Sequence, residues 1–214
     1  MSNAPSDRPG ILPRLAGLVR QPGKFLEQLL IGTDYVFFRL RYGFLATPVP
    51  ADAQKIVLFI SLTDWMPRVK MEGIIAKSLA LEGCTPVVLT HSNAYTAQRY
   101  FRAMGITNFL YFDELTKQAA EPGDAALAET LLQQHTTFQS MLRYTYEGGA
   151  TGKHVLSTVV RTLRHSNLAF GDPRVRETLR STLVASIRAS RAAPALFSRV
   201  KPVSNVQAES CVPK

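Results

Sequence analysis

A chain of 214 residues has room for one large domain or one domain with an appendage, and 46% hydrophobic residues can fill a core, which excludes global disorder. Two cysteines, Cys84 and Cys211, are too few for a disulfide framework or a metal cluster, and they read as a reducing compartment. The net charge of +9 is uneven: residues 51–150 hold eight Lys/Arg against ten Asp/Glu, while residues 151–201 hold ten against two, which suits an anionic partner (a phosphate, a nucleotide, a membrane headgroup) or a solvated helical face.

Residues 1–10 are polar, carry two prolines and are expected to be mobile. The start has neither the charged n-region nor the apolar h-region of a signal peptide, and no apolar run is long enough to cross a bilayer, so the chain is expected in the cytoplasm. From Ile11 to Pro50 the pattern is amphipathic, aromatic and basic. Pro22 and Gly23 are expected to divide it into short helical pieces. Phe25, Leu26, Leu29 and Leu30 have helical spacing, as do Tyr35, Phe38 and Tyr42. Such a segment packs on the core or on a partner, or lies on a membrane surface.

Residues 51–120 read as a Rossmann-like α/β core. Lys55–Leu62 is a continuous apolar run, as buried parallel strands are. Met71, Ile74, Ile75, Ser78 and Leu79 then recur at helical spacing up to Gly83, and Pro86–Thr90 forms a second strand. Ala94–Met104 is a second helix stopped by Gly105, and Phe109–Phe112 a short third strand. Two strand–helix–strand units in succession imply a parallel sheet. Beyond Asp113 the alternation stops and residues 121–201 read as helical. One helix, capped by Asp124, carries Leu127, Leu131, His135, Phe138 and Leu142. A second carries Val155, Leu156, Val159, Val160 and Leu163. A third starts at Asp172-Pro173, an N-cap followed by a proline at N1, and runs toward Ala193. Residues 202–214 have no period and are expected to form a disordered tail. About three strands before a helical half make a partial sheet.

Open α/β sheets bind ligands outside the carboxyl ends of their strands. Three segments are expected there: Thr63–Lys70, His91–Tyr95 and Asp113–Glu114. The first holds Asp64, Trp65, Arg68 and Lys70. A lone tryptophan beside charged groups suits a sugar ring, with Asp64 as a hydrogen-bond acceptor or general base. In the alternative, Trp65 covers the core edge and Asp64 serves as a turn or helix-cap residue. His91, with Asn93 and Tyr95, forms a second polar cluster, and the imidazole is either a base or a turn residue. His135, His154 and His165 lie on helices without metal-ligand spacing, so no metal is expected.

The segment Tyr146–Arg161, "YEGGATGKHVLSTVVR", places glycines and a lysine before a helix, where anions are attracted. It is not a P-loop: His154 stands where a magnesium-binding Ser or Thr belongs, and the glycine spacing is wrong. No G-x-G-x-x-G follows the first strand, so no cofactor is implied. The basic residues 161–201 have no interleaved aromatics, so no nucleic acid is implied either.

On these residues the chain resembles a known family. "KIVLFISL", the tryptophan loop, "EGIIAKSLALEGCTPVVLT" and "YFRAMGITNFLYFDEL" are similar to the N-terminal half of bacterial glycosyltransferase-like proteins of surface polysaccharide biosynthesis, and "YEGGATGKHVLSTVVRTLR" to the helical stretch that follows there. The resemblance covers roughly Lys55–Lys201 and its motifs are diffuse. It implies the N-terminal, acceptor-holding domain of a GT-B architecture, which acts with a nucleotide-sugar-binding domain. It carries over Asp64 and Trp65, and Glu147, Gly148 and Lys153. After "ALFSRVKP" that family continues into an apolar strand and a donor domain. Here "VSNVQAESCVPK" follows, and the expectation is a truncated product or one subunit of a split enzyme that needs a donor-domain partner chain. The runner-up reading is a non-catalytic α/β module for an anionic ligand or a membrane surface.

Overall fold

The side chains of Ile56–Ile60 (β1) alternate between two apolar layers. Val57 and Phe59 face one layer and Leu58 the other, so β1 needs cover on both sides, as interior parallel strands do. The computed structural model describes residues 22–46, 55–164 and 168–206, with backbone alone for 22–31. The expectations for residues 1–10, for Ile11–Gln21, for the boundary at residue 50, for His165 and for residues 207–214 lie outside these.

β1 is followed by helix α2 (Met66–Leu81), strand β2 (Thr85–Thr90), helix α3 (Tyr95–Ala103) and strand β3 (Phe109–Tyr111), much as the hydrophobic pattern predicts. Gly83 and Gly105 end the two helices at φ 84° and 78°, a conformation that suits glycine. Before β1 lies α1 (Pro22–Tyr42), one helix of 21 residues where short pieces were expected. The residues before Pro22 lie outside the described ones; within the described helix Gly32 costs only about 1 kcal/mol in an interior held by packing on α3.

Past β3 come α4 (Phe112–Gln118), α5 (Asp124–Gln134), α6 (Phe138–Leu142), α7 (Thr151–Leu163) and α8 (Pro173–Val200). The single helix expected from Asp124 through Leu142 is two. Thr137 begins α6 with a capping box, its hydroxyl accepting from the Ser140 amide at 3.2 Å. Asp172 caps α8 as its sequence predicts, accepting from the amides of Arg174 at 2.7 Å and Val175 at 3.2 Å. α8 does not stop near Ala193 but runs through Pro194 to Val200, because Leu196 and Val200 are buried against Leu58 and Leu89 of the sheet. That burial outweighs an interior proline's cost of about 3 kcal/mol.

The largest departure follows. Residues 202–214 were expected to lack regular structure, yet Ser204–Val206 forms β4, parallel to β1, with Val57 opposite Ser204 and Phe59 opposite Val206. The Val203 amide donates to the Ile56 carbonyl at 2.9 Å. A short segment with no strand pattern becomes a strand because the open edge of β1 offers unpaired N–H and C=O groups. Among the described residues the fold is therefore α/β with a four-stranded parallel sheet in the order β3-β2-β1-β4, the order of the first four strands of a doubly wound, Rossmann-like sheet. α2 and α3 cover one face, with α1 outside them, and α4 and α8 cover the other.

α8 is 28 residues, about 42 Å long, against roughly 20 Å for a strand of β2's length. Its end lies on the sheet and leads back to the start of β1. Its first half therefore extends past the carboxyl ends of the strands, where Val175, Leu179, Leu183 and Ile187 form a second core with α5, α6 and α7.

The joint between the cores is polar and buried. Asp124 accepts from Arg188 Nε at 2.7 Å, from Arg191 Nη1 at 2.5 Å and from the Glu121 amide at 3.0 Å. Arg191 also reaches Glu121 at 3.3 Å and donates to the Tyr146 hydroxyl at 3.1 Å. Arg176 pairs with Glu129, and Arg180 with Glu177. Part of the excess basic charge of residues 151–201 is thus used inside the helical half.

Burial opposes the charge on Asp124, but the hydrogen bonds from Arg188, the Glu121 amide and Arg191 outweigh it and bring its carboxyl to about 2 from 3.8. A carboxylate with a depressed pKa contributes stability that is present above pH 3.8 and is lost as pH falls toward 2. Asp124→Asn is expected to cost on the order of 3 kcal/mol at neutral pH, the low end for a buried pair because Arg188 is partly wet. Urea titrations from pH 5 down to pH 2 are expected to show a smaller loss for the variant than for the parent, since the variant has no charge there to titrate.

Candidate functional site

Strand order reverses at β1, with β2 on one side and β4 on the other. In doubly wound sheets the ligand crevice opens at that point, outside the carboxyl ends. The loop that leaves β1 here is residues 61–65. It ends at Trp65, which precedes α2 with no side-chain cap and is 62% exposed. The Thr63 hydroxyl accepts from the Trp65 amide at 3.1 Å and fixes the turn that presents the indole. Trp65 does not cover the core edge.

The two carboxylates near this edge tie its loops together. Asp64 Oδ1 accepts from the Ala97 amide at 3.2 Å. Ala97 lies in the first turn of α3, and none of the side chains preceding α3 caps that helix, so Asp64 caps it from another loop. Asp113, two residues after β3, accepts from the Ser92 amide at 2.7 Å and the Ser92 hydroxyl at 2.5 Å. Those two bonds hold the Asp113 carboxyl below its ordinary range. His91 Nδ1 lies 3.8 Å from Asp113 Oδ1, too long for a hydrogen bond, and its ring stands edge-on to Phe112. Serine, aspartate and histidine meet here, but the carboxylate sits between the other two. A nucleophile needs the imidazole on its hydroxyl, so the trio is not arranged as a hydrolytic triad. Gln98 donates to the carbonyls of His91 at 3.2 Å and Ser92 at 3.0 Å and locks the same turn, beside which Asn93 and Tyr95 are exposed.

Other predicted residues go elsewhere. Arg68 pairs with the buried Glu72 at 2.8 Å, one turn along α2. Lys70 bonds Asp34 of α1 at 2.7 Å and lies over the rings of Phe38 and Tyr100, so its charge serves the packing of α1. Glu147, Gly148 and Lys153 lie in the helical half, and no hydrogen bond or ion pair joins them to the sheet-edge loops. Residues 146–149 form a tight turn in which Tyr146 and Gly149 exchange both backbone hydrogen bonds, at 2.9 and 3.1 Å, and Glu147 and Gly148 both have positive φ, 48° and 78°. A Cβ on Gly152 would stand 1.7 Å from the Met141 carbonyl oxygen. The glycines of this segment answer to turn geometry and close packing. His135 packs on Tyr144, and His154 is exposed on α7.

The structure adds two residues that the sequence pattern conceals. Ser61 follows β1, Thr90 ends β2, and the Ser61 amide donates to the Leu89 carbonyl at 2.9 Å. Both hydroxyls are fully buried and have no hydrogen-bond partner, as has Oε2 of Glu72. Unsatisfied buried hydroxyls at the carboxyl ends of two adjacent strands are a polar demand where such sheets take ligands. The available signal was a hydroxyl residue closing each apolar run. A groove of about 280 Å³ opens between α4 and α8, lined by Leu115, Gln118, Glu121, Arg191, Ala192 and Ala195 among others, and contains none of the predicted site residues.

The chain matches no family model, no curated protein and no solved structure.

Asp64→Ala is expected to cost about 1 kcal/mol, the usual loss for a helix cap, while Asp64→Asn keeps an acceptor for Ala97 and is expected to stay close to the parent. Thermal midpoints of the three proteins check this.

Proposed function

We propose that the crevice beside Trp65 receives a sugar or glycan acceptor, and that the chain is the acceptor-side domain of a glycosyltransferase-like protein of surface polysaccharide biosynthesis, working with a donor-domain partner chain. One observation carries this reading: the chain's single tryptophan is exposed on the loop leaving β1, at the point where strand order reverses. An indole face stacks against the C–H face of a sugar, while hydroxyls need hydrogen-bonding side chains nearby. The free oxygen of Asp64, Asn93 and His91 are the accessible candidates. His91 is the candidate base, with the Asp113 charge beside it. The same reading puts the chain in the cytoplasm, peripheral to the inner face of the membrane.

A second reading, a non-catalytic module for an anionic ligand, draws on α2. Its N-terminus has no side-chain cap, and the buried Ser61 hydroxyl lies in the loop that leads to it.

Fluorescence of Trp65 during titration with bacterial oligosaccharides separates the two. Quenching by a glycan supports the first reading. Chemical-shift changes confined to residues 61–69 on addition of inorganic phosphate, with no response to glycans, support the second. Trp65→Ala is expected to leave the thermal midpoint within about a degree, because an exposed side chain contributes little to the core, and to abolish glycan binding. A large loss of stability would show that the indole packs. The chain alone is expected to transfer no sugar from a panel of nucleotide sugars, since the reading assigns the donor to another domain.

A further inference from the structure

Helix α1 is apolar on two opposite faces. Between residues 34 and 38 its inner face packs on α3 and α2: Tyr35 and Phe38 meet the Tyr100 ring at 5.5 and 5.2 Å between centroids, and Asp34 binds Lys70 and the Tyr100 hydroxyl. Its outer face carries Val36, Phe37 and Leu40, which are 55, 70 and 78% exposed, and Phe44 in the turn that follows (Gly43–Ala46) is 72% exposed. At roughly 100° per residue the first three share an arc of about 100°, and Arg39 and Arg41 fall on its two margins. Within residues 32–46 the one acid is Asp34, which lies on the inner face and is neutralised by Lys70.

We propose that this outer face of α1 docks in the headgroup region of a bilayer that contains anionic lipid. Phe37, Leu40 and Phe44 enter the acyl boundary, and Arg39 and Arg41 meet phosphates on either side. The proposal deepens the peripheral placement in the functional reading above and rests on that placement, but not on the glycan site. Charge complementarity selects lipid as the occupant. An apolar stripe with an arginine on each margin and no acid on its face matches a surface of one sign, and the net charge of +9 draws the whole chain toward such a surface. No helix among the described residues is long and apolar enough to cross a membrane, so the contact lies in the plane of the interface.

The test is sedimentation of the full chain with phosphatidylcholine vesicles and with vesicles rich in phosphatidylglycerol. The parent is expected to bind the second kind, less so as salt rises. Arg39→Glu with Arg41→Glu, and separately Phe37→Ser with Leu40→Ser, are each expected to weaken binding at least about tenfold. All four side chains are exposed, so both variants are expected to keep the parent's circular dichroism and thermal midpoint. Arg161→Glu with Arg164→Glu, on the helical half, lowers the net charge equally and is expected to lose much less binding than the α1 arginine variant, since it weakens only the long-range attraction. The proposal falls if the parent does not bind, if the α1 variants bind unchanged, or if the helical-half variant is the one that loses binding. It also falls if light scattering shows parent dimers that Phe37→Ser with Leu40→Ser dissociates, which would assign the face to a second copy of the chain. Trp65→Ala is expected to sediment normally, and glycan quenching is measured without lipid, so failure of either reading is seen separately.

Discussion

Helix α8 belongs to two hydrophobic cores at once, and the arrangement of the molecule depends on that. Its last turns pack on Leu58 and Leu89 of the sheet, while its first turns supply Val175, Leu179, Leu183 and Ile187 to the helical half. A helix of about 42 Å cannot be covered by a sheet of half that depth, so the remainder needs its own partners. α5, α6 and α7 are those partners. Where the cores meet, the Asp124 carboxylate is held by two arginines one turn apart on α8. An ion pair at that depth fixes register as well as proximity, because an unpaired partner there is expensive.

The same helix determines the topology of the sheet. Leaving the helical half, the chain runs back along the second face and turns at Lys201, φ 47°, to lay β4 beside β1. This places strand reversal at β1, with the loop from Ser61 to Trp65 leaving its carboxyl end. The carboxylates around that end hold loops in place: Asp64 links the first loop to the start of α3, and Asp113 links the third to the second. What these contacts leave unengaged is an exposed indole, two buried hydroxyls without partners and the exposed turn at Asn93. That inventory suits recognition by stacking and hydrogen bonding. A phosphate would meet only the uncapped start of α2, where Pro67 removes one of the amides.

α1 adds a third layer. Its inner side is tied by the Asp34–Lys70 bond and by aromatic contacts with Tyr100, and burial together with the Asp34 charge pushes the Tyr100 hydroxyl well above its ordinary pKa. Lys70 was expected near the ligand but serves here instead. The residue sits on α2 about one turn past the loop that leaves β1, and the helical rotation carries it toward α1.

The sequence by itself determined the elements whose side-chain period is complete within one segment. β1, α2, β2, α3 and β3 were legible because apolar runs and helical spacing record burial on known faces. Gly83, Gly105 and the Asp172-Pro173 cap were legible because local backbone geometry demands them. The place of Trp65 on the loop after β1 was legible as well, but its sequence left open whether the indole stands exposed or covers the core edge. Only the tertiary structure decided the rest. β4 has no strand signal, since its ladder partners belong to β1, nearly 150 residues earlier in the chain. The continuation of α8 through Pro194 depends on a sheet that its own sequence cannot reveal. Asp64 as the cap of a helix 33 residues away, Lys70 as the partner of Asp34, and the unpartnered hydroxyls of Ser61 and Thr90 are all facts about neighbours distant in sequence. A side chain's type limits the bonds it can make, but the fold chooses which partner comes within reach.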